Sequence, residues 1–201
     1  MKKQKLIVLD IDSVLIDSIR YEKVKHKPTT NWIHGKQKWA IYSRPYLQAF
    51  LDFCRKNFEY IALWTRADKF WANYLINKIL PPKFPLLFVW THKDTHPEYK
   101  NLSKAWKKYA HLGINETNTI IIEDTPENCG MNMENAIIVP AFLVEHDHED
   151  ITFPLLCEYL KCLVKEKSVL DIDKTHWKMD VIEKLLKGKV RLGRTRATRK
   201  K

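Results

Sequence analysis

The chain has five glycines in 201 residues, and they never gather into a glycine-rich phosphate loop, which excludes the nucleotide-binding classes that depend on one. Its four cysteines, Cys54, Cys129, Cys157 and Cys162, form no CxxC pair and no His/Cys cluster. That argues against structural zinc and for a reducing compartment. No apolar run approaches the length that crosses a bilayer. The opening Met1-Lys2-Lys3-Gln4-Lys5 leads straight into an apolar strand without the apolar core of a signal peptide, so the expectation is a chain kept inside the cell and off the membrane. Internal repeats and low-complexity linkers are also missing. What is present, 45% hydrophobic and 29% charged residues, argues against disorder across the chain and for one domain with a full core.

The formal charge of +11 is unevenly spread. Nine of the positive charges, with no acid among them, fall between Lys184 and Lys201. The stretch 189–201 has no apolar periodicity and reads as a basic arm. It suits nucleic acid, an acidic partner or a nuclear import receptor, or it is a solubilising tail.

Along the chain, apolar strand-like runs alternate with helix-like segments. Leu6-Ile7-Val8-Leu9, Tyr60-Ile61-Ala62-Leu63-Trp64, Leu86-Leu87-Phe88-Val89-Trp90, Thr119-Ile120-Ile121-Ile122 and Ala136-Ile137-Ile138-Val139 read as strands. Helices are predicted over about Arg44 to Asn57, with Pro45 in the first turn, and over Lys69 to Ile79, Leu102 to His111, Ile151 to Lys165 and Asp173 to Lys187. This order predicts an α/β fold, a Rossmann-like parallel sheet flanked by helices. Residues 14–43 have a mixed character, with lysines among Tyr21, Trp32, Trp39 and Tyr42, and are expected to form a flap of short strands or loops over the site. The expected organisation is a domain over 1–166 carrying that flap, a C-terminal helix within 167–188 and the basic tail over 189–201.

The first strand delivers Asp10 and Asp12 to its end. Ligands of parallel sheets gather beyond the carboxyl ends of the strands, and side chains two apart point the same way, so one carboxylate is placed to attack phosphorus while the other handles the proton. The competing reading is an acidic strand end that caps the next loop. Two more strands end in polar residues suited to the same reaction: Thr65 after the second, and Glu123 with Asp124 after Ile122. Clustered carboxylates repel a phosphate dianion, so the set makes sense with a cation, and oxygen ligands suit Mg²⁺.

In order, the chain carries Asp10-Ile11-Asp12-Ser13-Val14, Arg44-Pro45, Leu63-Trp64-Thr65-Arg66-Ala67, Lys100-Asn101-Leu102-Ser103 and Glu123-Asp124-Thr125-Pro126. In these motifs, from about Lys5 to Leu163, it resembles the haloacid dehalogenase-like phosphatases, in the branch that dephosphorylates the C-terminal repeats of RNA polymerase II. The resemblance implies a phosphoserine/phosphothreonine protein phosphatase using Mg²⁺. Asp10 would be the nucleophile that forms an aspartyl phosphate and a metal ligand. Asp12 would protonate the leaving oxygen, activate the hydrolytic water and offer its main-chain carbonyl to the metal. Thr65 and Lys100 would hold phosphoryl oxygens, with Asp124 the first choice as further metal ligand and Glu123 the second.

Departures from the branch's pattern are Val14 in place of the commoner threonine, Glu123 in place of aspartate, and a flap that does not visibly match the family's substrate-contacting strands. Trp32 and Trp39, set among lysines, are candidates to line a groove for an extended phosphopeptide. The competing readings are a polynucleotide 3′-phosphatase or small-molecule phosphatase on the same fold, which the basic arm favours, and a non-catalytic module binding phosphopeptide or nucleic acid. His146-Asp147-His148-Glu149-Asp150 is expected to be an exposed, acid-rich helix start rather than a metal cluster. Cys129, beside the acidic motif, is either a redox-sensitive thiol or, as favoured, a packing residue.

Overall fold

A computed structural model of the chain describes residues 5–34, 36–95, 98–145 and 149–187. The strands are β1 (Leu6–Leu9), β2 (Ile16–Arg20), β3 (Thr30–His34), β4 (Gln37–Ser43), β5 (Tyr60–Trp64), β6 (Val89–Trp90), β7 (Thr119–Glu123) and β8 (Ala136–Ile138). The helices are α1 (Leu47–Asn57), α2 (Lys69–Ile79), α3 (Ser103–Lys108), α4 (Thr152–Leu163) and α5 (Trp177–Lys187). Five strands make one parallel sheet in the order β6-β5-β1-β7-β8, with Leu6 paired to Tyr60 on one side and to Thr119 on the other.

The continuous apolar runs follow from this topology, because the central strands are covered on both faces. Ile7, Leu9, Ile61, Leu63, Ile120 and Ile122 pack beneath α1, α2, α4 and α5, while Leu6, Val8, Ala62, Trp64 and Ile121 pack on the other face against Leu102 and Ala105 at α3. The chain moves outward from β1 through β5 to β6, then crosses back to β7 and β8. The sheet therefore switches direction between β1 and β7, and a crevice opens there at the strands' carboxyl ends. Asp10 leaves β1 at that crevice, and Glu123 ends β7 beside it.

Between β1 and α1 the chain forms a separate antiparallel sheet in the order β2-β4-β3. Ala40 and Tyr42 pack on Phe142, and Ile41 and Trp32, which alternate onto the opposite face, join the main core. Arg44, at the junction of β4 and α1, ties this sheet down. Its guanidinium donates to Asp150 at 2.7 Å and 3.0 Å, to the carbonyls of Val14 and Pro140, and to Thr152 Oγ1, with the side chain fully buried.

Element boundaries differ from the sequence expectation where local backbone geometry intervenes. The first helix begins at Leu47, not Arg44, because Tyr46 adopts a left-handed φ of 64°. The expected helix over 102–111 breaks into α3 and a 3-10 turn, Ala110–Leu112, which Gly113 ends at φ 73°. Only Val89–Trp90 of the expected 86–90 strand pairs regularly with β5. Asp150 is not an exposed helix start: its carboxylate is 6% exposed, pairs with Arg44 and accepts the N–H of Thr152, the first residue of α4, at 2.7 Å. Residues 146–148 and the basic arm 189–201 lie outside the described residues. No helix among the described residues is long and apolar enough to cross a membrane.

Candidate active site

The loop after β1 sets the two aspartates. Asp10 N–H still bonds to the Ile122 carbonyl, so its carboxylate stays on the sheet's edge between β1 and β7. The chain then turns tightly, with Leu15 and Ile16 N–H both bonded to the Ile11 carbonyl and Ser13 in the left-handed region at φ 58°. Asp12 is thereby presented toward β5 and α2. Its Oδ2 accepts from Thr65 Oγ1 at 3.1 Å and its Oδ1 accepts from the Trp71 indole at 2.9 Å. Thr65 in turn accepts the Ala67 N–H at 2.9 Å, which fixes the hydroxyl's direction.

Lys100 is fully buried, and its Nζ lies 2.6 Å from Asp10 Oδ1 and 2.6 Å from Glu123 Oε2. Two buried carboxylates hold this cation in place. Its main chain is held as well, since Lys100 N–H donates to the Asn128 carbonyl and Asn132 Nδ2 donates to the Lys100 carbonyl. Asn128 extends the network: its Nδ2 donates to Glu123 Oε1 at 2.9 Å, and its Oδ1 accepts from Arg66 at 2.8 Å. Both oxygens of Glu123 are thus engaged by protein donors.

One oxygen each from Asp10, Glu123 and Asp124 lie within 4.8 Å of one another. Burial pushes the Asp10 carboxyl well above the usual carboxylate range; Lys100 opposes that push and Glu123 adds to it. Asp124 is also raised, by burial and then by the charge of Glu123. Burial tends to lower the Lys100 ammonium, but Asp10 and Glu123 outweigh this and hold it above its ordinary value. Three converging carboxylates against one ammonium, with two of the acids pushed up, form a site that a hard divalent cation would relieve, and all the donors are oxygens. Because Glu123 is already committed to Lys100 and Asn128, Asp124 is the freer donor. Burial likewise raises the Asp12 carboxyl, against the Trp71 and Thr65 hydrogen bonds.

All six residues singled out in the sequence, Asp10, Asp12, Thr65, Lys100, Glu123 and Asp124, meet at this one crevice. Thr65 stands against Asp12, not beside Lys100. Sequence reasoning did not find Asn128, Arg66 or Trp71. Asn128 was within reach, four residues past Asp124 in the same turn, whereas nothing local marks Trp71 as a partner of Asp12. Cys129 is buried and its thiol is pushed up to about 12, by burial first and then by Glu123, which fits the packing role and not a reactive thiolate.

Residues 5–170 match the family model of the NLI interacting factor-like phosphatases. The chain is 30% identical over 165 residues to the putative CTD phosphatase-like protein 355R of Invertebrate iridescent virus 6, covering 72% of this chain and 90% of the relative. It is 26% identical over 189 residues to the ubiquitin-like domain-containing CTD phosphatase 1 of Gallus gallus, covering 87% of this chain and 54% of that one. Among solved structures, Fcp1, an essential RNA polymerase II CTD phosphatase, superposes with a TM-score of 0.61 at 14% identity over 95% of this chain and 68% of its own, a likeness of fold. With its motifs in order and gathered at one crevice, the chain belongs to the NLI interacting factor-like phosphatase family, in the haloacid dehalogenase-like CTD phosphatase branch.

Proposed function

We propose that the chain is a Mg²⁺-dependent phosphoserine/phosphothreonine protein phosphatase of the RNA polymerase II C-terminal-domain type, working through an aspartyl phosphate on Asp10. The observation that carries this reading is the Asp10 carboxylate at the switch point of the sheet, with one oxygen fixed by Lys100 and Glu123 and Asp124 alongside. Asp10, Asp124 and the main-chain carbonyl of Asp12 are the groups that would hold Mg²⁺, with Glu123 behind them. When bound, the ion would screen the carboxylates from a phosphate dianion and steady charge on the transferring group.

The chain's own residues divide the remaining tasks. Asp10 attacks phosphorus, the bond from phosphorus to the seryl or threonyl oxygen breaks, and Asp12 supplies the proton that oxygen needs. Asp12, then ionised, takes a proton from the water that hydrolyses the acyl phosphate and returns to its starting state. Lys100, held against Asp10, and the Thr65 hydroxyl, once turned from Asp12, would bind phosphoryl oxygens. The aromatic and basic flap beside the crevice suits an extended phosphorylated segment. The polymerase tail would be met in the nucleus, and the basic arm 189–201 is the import candidate.

The test is phosphate release, with Mg²⁺ or with chelator, from phosphorylated polymerase-tail peptides and from a 3′-phosphorylated oligonucleotide, with Asp10→Asn as the blank. Metal-dependent turnover of the peptides supports the proposal. Preference for the oligonucleotide would move the chain to nucleic-acid end processing. Tight binding of either without turnover would make it a binding module.

A further inference from the structure

The flap and the proton-handling aspartate are joined by a short aromatic chain. Trp32 lies on β3, and its ring meets the Trp71 ring edge-on, with centroids 4.9 Å apart at 67°. Trp71 is in the first turn of α2, whose start is fixed by Asp68 accepting the Trp71 N–H at 2.9 Å. With its backbone pinned at one end and its ring held by Trp32, Trp71 sends its indole N–H 2.9 Å to Asp12 Oδ1. Tyr74, one turn on, bonds to Thr30 Oγ1 and to the Asn31 carbonyl, so α2 and β3 are fastened at two levels. Register carries the row across the flap: Trp32 pairs with Trp39, Trp39 pairs with Arg20, and the Arg20 guanidinium sits 5.3 Å from the Trp39 ring centre.

We infer that Trp71 is a positioning residue for Asp12, held in place by Trp32 of the flap. The inference rests on Asp12 being the general acid of the proposed reaction. Thr65 engages one Asp12 oxygen and the indole engages the other, so the two contacts together fix the plane of the group. A carboxyl at the wrong angle to the leaving oxygen delivers its proton poorly, and small misplacements of a catalytic group lower rates by large factors. Trp71 takes no part in bond making. Asp10 forms the bond to phosphorus, the bond to the leaving oxygen breaks, and the proton on Asp12 passes to that oxygen.

This role has a signature that general damage lacks. A leaving group of low pKa departs with little help from an acid, whereas an alcohol needs it, so a misaimed Asp12 penalises poor leaving groups selectively. The experiment measures kcat/KM for a series of aryl phosphates from p-nitrophenyl to phenyl phosphate, and for a phosphoserine peptide, in the wild type, Trp71→Phe, Trp32→Leu and Asp12→Asn.

Trp71→Phe keeps a ring for Trp32 and removes only the donor. It is expected to lower kcat/KM by about 10-fold on phenyl phosphate and phosphoserine and by less than about 2-fold on p-nitrophenyl phosphate. Trp32→Leu keeps the donor and loosens the ring, and is expected to steepen the dependence in the same direction by a smaller factor. Asp12→Asn marks the limit. An equal loss across the series in Trp71→Phe, or a wild-type slope in Trp32→Leu, would overturn the inference while leaving the proposed activity intact. Failure of the wild type to turn over any of these esters would instead remove the proposed activity, and the inference with it.

Discussion

Lys100 Nζ lies 2.6 Å from Glu123 Oε2, and neither side chain has any exposed surface. A charge so placed tolerates no loss of its partner, since breaking a buried pair from one side leaves the other charge without water or counter-ion. Lys100→Met leaves Asp10 and Glu123 facing each other. It is expected to destabilise the metal-free chain by about 3 to 5 kcal/mol in urea unfolding and to abolish phosphate release.

Asp124 and Glu123 are adjacent in sequence but differ in their tasks. Glu123 spends its oxygens on Lys100 and Asn128, whereas Asp124 accepts from the neighbouring Thr125 hydroxyl at 3.3 Å and contacts no cationic side chain among the described residues. Asp124→Ala should therefore raise the Mg²⁺ midpoint for activity by about 10-fold or more, with turnover recovering at higher metal. Glu123→Gln should lower turnover in a way that added Mg²⁺ does not restore, because Lys100 has lost its seat. A metal titration of both variants checks this; rescue of Glu123→Gln and not of Asp124→Ala would reverse the assignment.

The ionisations give two opposing dependences on pH. The Asp10, Asp12 and Asp124 carboxyls are raised in the folded chain, so the stability they contribute is complete below about pH 4 and lost as pH rises through their folded values. Asp150 behaves oppositely. Burial would raise it, but the Arg44 hydrogen bonds and the Thr152 N–H outweigh this and hold it below the ordinary value, so its contribution is present above about pH 4 and lost as pH falls through its folded value. Because Mg²⁺ favours the ionised Asp10 and Asp124, its stabilising effect should grow as pH rises through the range in which these two raised carboxyls ionise. Melting midpoints with and without Mg²⁺ across that range measure it, and a Mg²⁺ shift independent of pH would contradict the assigned ligands.

Gly130 has a φ of 51°, and a Cβ there would lie 2.4 Å from Tyr99 Cγ. Tyr99 directly precedes Lys100, so any side chain at 130 displaces the segment that sets the buried lysine. Gly130→Ala is expected to cost more than about 1 kcal/mol in unfolding and to reduce kcat more than its stability loss implies.

The sequence made the sheet legible because buried parallel strands leave uninterrupted runs such as Leu6 to Leu9 and Ile120 to Ile122. Asp10, Asp12, Thr65, Glu123 and Asp124 were legible for the same reason: each sits where such a run ends. Lys100 follows no strand and was found through the motif resemblance alone. Arg44 was read as part of an Arg-Pro start, yet its partner Asp150 is 106 residues away, and local pattern does not report such a pairing. The Trp71 contact with Asp12 spans 59 residues and depends on how α2 docks under the flap. Periodicity shows that a tryptophan faces inward, but not which atom its N–H meets.

In the proposed mechanism Asp10 carries the phosphoryl group. The direct measurement is mass analysis of the acid-quenched protein during turnover of p-nitrophenyl phosphate, in the wild type and in Asp12→Asn, where loss of the base slows hydrolysis of the intermediate. The expected result is one phosphoryl group on the peptide containing Asp10, more abundant in Asp12→Asn and missing in Asp10→Asn. Sustained turnover by Asp10→Asn, or rapid turnover with the phosphoryl group on another residue, would show that Asp10 is not the nucleophile.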